Sequence, residues 1–199
     1  MVSDKTPGPD VPPEDQIEFV ETSGLKLSRL VDDFDDAVDR IYDPLRSSST
    51  LNRLFYSASA LADHSLIWFL VSSVMGTTRK GARRSKVISG SLLFESALVN
   101  IVIKSLFGRQ RPTNHSERPY KLRQPLTSSF PSGHASAAFM WATLMTRGQG
   151  IAPIYLVVAA IVSISRLHVK IHHASDIVGG MILGTLLGRL IKRVFLYGR

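Results

Sequence analysis

Apolar residues recur along this chain in two patterns. Between residues 27 and 41, Leu27, Leu30, Val31, Phe34, Val38 and Ile41 fall at spacings of three and four, the period of one helix face. Most positions between them are acidic. An amphipathic helix with an acidic outer face is predicted, lying on a membrane or capping a bundle; Pro44 and the Ser/Thr run at 47–50 end it. Beyond residue 55 the pattern changes to long apolar stretches at about 56–76, 87–107, 132–146, 151–165 and 176–191. Crossing a bilayer takes ~20 residues, with ~17 a lower bound, so the last three reach length only by including polar ends. Singly, each stretch fits a buried helix of a soluble bundle; five in succession, joined by short charged loops, predict membrane helices. The expected architecture is all-α: an integral-membrane helical bundle of about five transmembrane helices plus an N-terminal amphipathic helix. Residues 1–24, with Pro7, Pro9, Pro12 and Pro13 among acidic and small residues, read as a disordered tail. Residues 25–55 read as the amphipathic helix and a linker, and 56–199 as one membrane domain.

Charge sharpens this picture. Residues 1–57 hold 12 of the 16 acidic residues and 6 of the 24 basic ones, so the overall +8 hides two opposite halves. The cations flank apolar runs and form no stripe with interleaved aromatics. A membrane surface and an anionic ligand are therefore expected as partners, and no nucleic acid. There is no cysteine, which removes disulfides and thiolate chemistry. The N-terminus is polar and acidic, unlike a cleavable signal peptide. If the helices alternate, the ends near 107, 132, 165 and 176 share one side, the active side. The other side receives ten cations and no acid: Arg79, Lys80, Arg83, Arg84, Lys86, Arg147, Arg189, Lys192, Arg193 and Arg199. The positive-inside rule puts that side in the cytoplasm. A plasma-membrane protein with an extracytoplasmic active side is expected.

Three charged clusters meet that side. In the first, Lys104 and Arg111-Pro112 stand where the second helix runs out. The second, Pro131-Ser132-Gly133-His134, opens the third helix with free backbone N–H groups, an anion site at a helix N-terminus. The third is Ser165-Arg166, His172 and Asp176. His172 and Asp176 are four apart, so on a helix the carboxylate can fix the tautomer of the imidazole. Three fixed cations, a helix N-terminus, two histidines and one orienting carboxylate suit phosphoryl transfer without a metal or other cofactor. A histidine can attack phosphorus if its other nitrogen is held, and a second can protonate the leaving oxygen. A metal site is the rival reading, since His168, His172 and Asp176 occupy successive i, i+4 positions.

The clusters also match a family signature. The sequence resembles the type-2 phosphatidic acid phosphatase superfamily, the lipid phosphate phosphatases, related to vanadium-dependent haloperoxidases. The family's Lys-x6-Arg-Pro is matched by Lys104 and Arg111-Pro112, its Pro-Ser-Gly-His by residues 131–134, and its Ser-Arg-x5-His-x3-Asp by Ser165-Arg166, His172 and Asp176. All three are complete, in order and correctly spaced, within a resemblance covering about 56–191. The resemblance implies that His172 forms a phosphohistidine, that Asp176 orients it, and that His134 protonates the leaving alcohol and then activates water. It implies that Lys104, Arg111, Arg166, Ser132 and the Gly133 amide hold the phosphate, and that no metal is needed. Family members usually have six membrane helices, one more than the five counted here. The expected function is hydrolysis of a lipid phosphate monoester or diphosphate, with a polyprenyl phosphate slightly favoured over phosphatidate or phosphatidylglycerol phosphate. The alternative is a non-catalytic protein that binds or carries anionic lipid; the haloperoxidase reading fits poorly because those relatives are soluble.

Several polar residues are left over. His168 and His173 receive no role; His115 and Glu117 are expected to be solvated. Asp63 and His64 read as a capping pair, with Asp63 as an acid that could reach a cation of the site. Glu95 and Asn100 are expected in a buried polar network. Gly180, Gly184 and Gly188 form a ridge on the fifth helix, expected to pack inside the bundle, although a homodimer contact is compatible with the same pattern.

Overall fold

The computed structural model describes residues 14–112, 119–120, 125, 127–148 and 150–196. The N-terminal part of the expected tail, 1–13, lies outside them, as do His115, Glu117 and the side chain of His64. Among the described residues seven α-helices carry the fold: α1 (Glu14–Tyr42), α2 (Ser49–Leu61), α3 (Leu66–Gly76), α4 (Arg79–Ala97), α5 (Gly133–Met145), α6 (Pro153–His168) and α7 (Ala174–Ile191). Among the described residues there is no strand.

The axis of the bundle is α5. Every residue from 135 to 144 is buried, and α4, α6 and α7 all pack on it. Its alanines at 135, 137, 138 and 142 let neighbours approach closely. The glycine ridge of α7 completes the fit: a Cβ at Gly180 would stand 2.4 Å from the Ser132 carbonyl oxygen, and one at Gly184 only 2.0 Å from that of Ser136. The ridge is thus an internal α5–α7 seam, not a dimer face. Below it, Trp68 of α3 and Trp141 of α5 pack with ring centroids 4.6 Å apart.

Local chemistry explains the boundaries. Thr78 caps α4 by accepting from the Gly81 amide at 3.0 Å, so the cationic segment expected to be a loop at 77–86 instead forms the first turns of the helix. α4 continues through a π turn (Leu98–Ile103) and a 3-10 turn (Lys104–Leu106). Glu95 and Lys104 are nine residues apart, nearly opposite on an ideal helix; the π turn brings both inside, 2 % and 7 % exposed. Pro153 opens α6. Arg46 closes it, donating to the carbonyls of Leu167 at 3.0 Å and His168 at 3.2 Å, a cation at the negative end of the helix.

The first apolar stretch differs most from expectation. It is two helices, α2 and α3, bent by 65° at Asp63–Ser65, with Ser65 in the left-handed region at φ 60°. Asn52 touches His168, Ser59 touches Arg166, and Asp63 stands near His134. α2 therefore keeps to the active end along its length, and only α3 descends. The amphipathic helix is also longer than expected: it starts at Glu14, inside the predicted tail, and packs on α7.

α3 to α7 run alternately between two ends of the bundle, as the pattern predicted. At the end away from the motifs, Arg84 donates to the Met145 carbonyl at 3.0 Å and Lys192 to those of Thr143 at 3.1 Å and Gly148 at 2.6 Å. The outer faces are apolar: Leu66, Leu70 and Val74 on α3, and Val178, Ile182, Leu186 and Leu190 on α7, are all exposed at intervals of four. Aligned exposed apolar ridges of this kind belong against lipid. By length and composition Arg79–Leu106 and Ala174–Leu196 can each cross a membrane, and the bent α2–α3 pair makes a third if counted as one span.

Candidate active site

The three motif clusters meet at one end, where α4 runs out, α5 and α7 begin and α6 finishes. His172 lies in the turn between α6 and α7. Lys170, in the left-handed region at φ 50°, reverses the chain there, and the amides of Ile171 and His172 both return to the Arg166 carbonyl, at 3.2 and 3.3 Å. The ring of His172 is 2 % exposed. Its Nδ1 lies 3.5 Å from Asp176 Oδ2 and its Nε2 3.3 Å from Arg111 Nη1. A guanidinium can only donate, so Nε2 presents a lone pair and Nδ1 carries the proton toward the carboxylate. Burial holds the imidazole far below its usual pKa, at about 3; Asp176 opposes this, while Arg166 and Arg111 add to it. The ring is neutral at physiological pH, the state a nucleophile needs.

Asp176 is fully buried and each of its oxygens is assigned. Oδ2 faces His172 and accepts from the His173 amide at 2.9 Å and from the Ser129 hydroxyl; Oδ1 accepts from Arg109 Nη1 at 2.8 Å. Arg111 is equally fixed. It donates through Nε to the Thr127 carbonyl at 3.2 Å, through Nη2 to that of Ser128 at 3.1 Å and through Nη1 to that of Ile171 at 3.0 Å. Burial lowers its pKa against the pull of Asp176. Arg166, 4 % exposed, donates to Ser59 of α2. The Lys104 ammonium interacts electrostatically with Arg111 and Arg166 and with the carboxylates of Glu95 and Asp176. Arg111 and Arg166 are thus held by carbonyls and a hydroxyl before any ligand arrives, in a preorganised nest of cations that Lys104 joins electrostatically.

His134 is the second residue of α5, with Nε2 3.8 Å from Asp63 Oδ1. The Ser132 hydroxyl caps α5 by accepting from the Ala135 amide at 3.5 Å, and its own amide donates to the Asp176 carbonyl at 3.0 Å. Ser132 thus locks α5 to α7 and keeps its hydroxyl proton for an acceptor. A Cβ on Gly133 would make only ordinary contacts, the nearest being Asn100 Oδ1 at 3.5 Å; packing does not demand glycine there.

The structure corrects some leftover assignments. His168 Nε2 lies 2.7 Å from Asn52 Oδ1, and the ring packs among Tyr42, Phe55 and Tyr56. The helix ends at His168, so it does not share a face with His172 and Asp176. Asn100 is exposed and donates to the Ser96 carbonyl at 3.0 Å, one turn back on its own helix, outside any buried network. Asp63 faces His134 rather than merely capping a helix. Four participants had no place in the sequence reading: Ser59, Ser129, Arg109 and Asp35. Arg109 lay in plain view two residues before Arg111, and Asp35 falls at helical spacing between Val31 and Val38; the serines carried no signal.

The PAP2 superfamily model matches residues 85–199. The chain belongs to the PAP2 superfamily. It is 29 % identical over 136 residues to the decaprenylphosphoryl-5-phosphoribose phosphatase of Mycobacterium tuberculosis, covering 68 % of this chain and 76 % of that protein. With the protein of the same name from Mycolicibacterium smegmatis it shares 30 % over 123 residues, 61 % of this chain and 67 % of the relative. Its fold is similar to a crystal structure of a PAP2-type phosphatidylglycerolphosphate phosphatase from Bacillus subtilis, with TM-score 0.64, 24 % identity and 92 % and 94 % of the two chains covered. It is similar too to Aquifex aeolicus LpxE, with TM-score 0.65, 25 % identity and coverage of 79 % and 93 %. The protein is a membrane-embedded lipid phosphatase.

Proposed function

We propose that this enzyme removes a phosphate monoester from a polyprenyl-anchored lipid through a phosphohistidine on His172. The observation that supports this most directly is the placement of His172 between Asp176, 3.5 Å from Nδ1, and Arg111, 3.3 Å from an Nε2 whose lone pair faces the cations. In the first step the Nε2 lone pair forms a bond to phosphorus. The bond from phosphorus to the lipid oxygen breaks, its electron pair goes to that oxygen, and His134 supplies the proton. In the second step water attacks the phosphohistidine, His134 takes the water proton, and the N–P bond breaks to release orthophosphate and restore His172. Charge on the equatorial oxygens is met by Lys104, Arg111, Arg166, the Ser132 hydroxyl and the Gly133 amide. Asp63 gives His134 a carboxylate neighbour, its Oδ1 3.8 Å from Nε2. None of these roles needs a metal. A non-catalytic lipid carrier would have no use for the His172–Asp176 pair.

The substrate class rests on the mycobacterial relatives, whose names describe a phosphate on a decaprenyl-linked sugar. The apolar outer faces leave the lipid tail in the bilayer while its phosphate enters the end of the bundle. We place the active end on the extracytoplasmic side of the plasma membrane, because the opposite end carries Arg79, Lys80, Arg83, Arg84, Lys86, Arg147, Arg189, Lys192 and Arg193. Residues 56–199 act as the phosphatase domain, with α1 as an added element. The test is phosphate release by purified enzyme from decaprenylphosphoryl-5-phosphoribose, farnesyl phosphate, phosphatidate and phosphatidylglycerol phosphate in EDTA. Turnover is expected, fastest on the first, inhibited by vanadate and abolished by His172→Ala. Turnover that stops in EDTA, or survives His172→Ala, sinks the mechanism; a preference for a glycerolipid overturns the substrate class alone.

A further inference from the structure

α1 lies outside the residues matched by the family model, yet it is bonded to the catalytic turn. Its outer face carries the exposed acids expected of an amphipathic helix. Asp35 is the exception, 5 % exposed. Burying a carboxylate is costly unless it is fully paired, and Asp35 is. Oδ1 accepts from the Ser175 amide at 2.7 Å; Oδ2 accepts from the Ser175 hydroxyl at 2.7 Å and from Arg109 Nη2 at 2.6 Å. The other arm of the same guanidinium, Nη1, donates to Asp176 Oδ1 at 2.8 Å and to the Ser175 hydroxyl at 2.5 Å. Asp35 and Asp176 thus hold the two arms of Arg109.

The arrangement divides the labour on Asp176. Oδ1 goes to Arg109, which fixes the rotation of the carboxylate, and Oδ2 is left facing His172. Arg109 alone would neutralise the charge that His172 needs when its ring becomes cationic on phosphorylation. Asp35 returns that charge: two carboxylates around one guanidinium leave a net negative group beside the nucleophile. Burial lowers the Arg109 pKa, but the hydrogen bonds and charges of Asp35 and Asp176 outweigh it and raise the pKa overall, so the guanidinium stays charged and the relay stays closed.

We propose that Asp35 is a positioning residue for phosphoryl transfer: acting through Arg109, it holds the Asp176 carboxylate in register with His172 and makes α1 part of the catalytic apparatus. This rests on the phosphohistidine reading above. The test uses the full-length enzyme in detergent micelles with farnesyl phosphate as probe. Asp35→Asn keeps the shape and removes the charge; kcat should fall about 10- to 100-fold, the usual loss on removing the partner of a site ligand, with KM within about twofold because no phosphate-holding group is touched. Asp35→Glu should recover part of the loss. In an Asp176→Asn background, Asp35→Asn should add less than about threefold, since residues acting through one another are non-additive. Asp39 also ties α1 down, to Arg46 at 2.5 Å and Lys170 at 3.5 Å; Asp39→Asn should leave kcat unchanged. If Asp35→Asn is recovered unfolded, Arg109→Lys, which keeps the charge without the fork, carries the same expectations. Wild-type kcat in Asp35→Asn, full additivity with Asp176→Asn, or an equal loss in Asp39→Asn overturns the proposal. Turnover in His172→Ala overturns the phosphohistidine reading instead, and the Asp35–Asp176 coupling remains measurable on its own.

Discussion

The α5–α7 seam makes Gly184→Ala the most informative single substitution. An added methyl would lie 2.0 Å from the Ser136 carbonyl oxygen, 2.8 Å from its carbonyl carbon and 2.9 Å from its Cα. All three are backbone atoms in the first turn of the central helix, so no side chain can swing away. Relieving the contact to even 3.0 Å separates the helices locally by about 1 Å, and such overpacking typically costs ~1–3 kcal/mol. The kinetic effect should exceed the stability effect. α5 carries His134, the proposed acid, at its start, and α7 carries Asp176, which faces the proposed nucleophile, two turns before Gly184, so the seam sets the spacing between them. A 1 Å misplacement can cost ~100-fold in rate. The measurement is kcat on farnesyl phosphate together with the melting temperature in detergent, beside the control Gly90→Ala. Gly90 lies in α4 with nothing within 4 Å of an added Cβ; there alanine should be neutral or stabilise by up to ~1 kcal/mol through helix propensity. Wild-type kcat and melting temperature in Gly184→Ala would refute the idea that this seam sets the catalytic spacing.

Three further outcomes follow from single contacts. Ser59→Ala removes the hydroxyl that holds Arg166 and should raise KM several-fold, roughly 1–2 kcal/mol of binding, with melting temperature little changed; an unaltered KM would show that α2 does not position Arg166. Lys192→Met strips the cap from the carbonyls of Thr143 and Gly148 and should destabilise by ~1–3 kcal/mol without altering KM, read by thermal unfolding. His172 is held at about 3 when folded and near 6.5 when unfolded. The unfolded chain therefore takes up a proton that the folded chain refuses, and stability is lost as pH falls from about 6.5 toward 3, by at most ~1.4 kcal/mol per pH unit. The difference between wild type and His172→Gln across that window isolates the effect; a pH-independent difference refutes the assignment.

The candidate site was largely legible because its residues stand at helix ends, where apolar runs stop and charge begins. Lys104, Arg111, His134, Arg166, His172 and Asp176 all announced themselves in this way, and alternation of the helices placed them together. What escaped were contacts across the chain. Ser59 reaches Arg166 over 107 positions, and a serine in an apolar run carries no signal of that. The bend at Asp63–Ser65 was hidden by treating the stretch 56–76 as one run, although its polar centre was the clue. Asp35 was more nearly readable. Val31, Asp35, Val38 and Tyr42 share one helix stripe, and Val38 and Tyr42 pack against the buried cluster at the start of α7; a carboxylate on that stripe needed a buried partner, and the spare cation was Arg109. Nothing in the apolar pattern announced the π turn that brings Lys104 inward.

The brevity of α5 has a consequence for the membrane itself. Thirteen residues rise about 20 Å, whereas the hydrocarbon layer is ~30 Å thick. Its flanks are polar at both ends, with Ser132 and His134 at one and the Arg84 and Lys192 caps at the other. The central helix is therefore shorter than the layer it stands in, and the polar groups at its two ends lie closer together than the bilayer is thick.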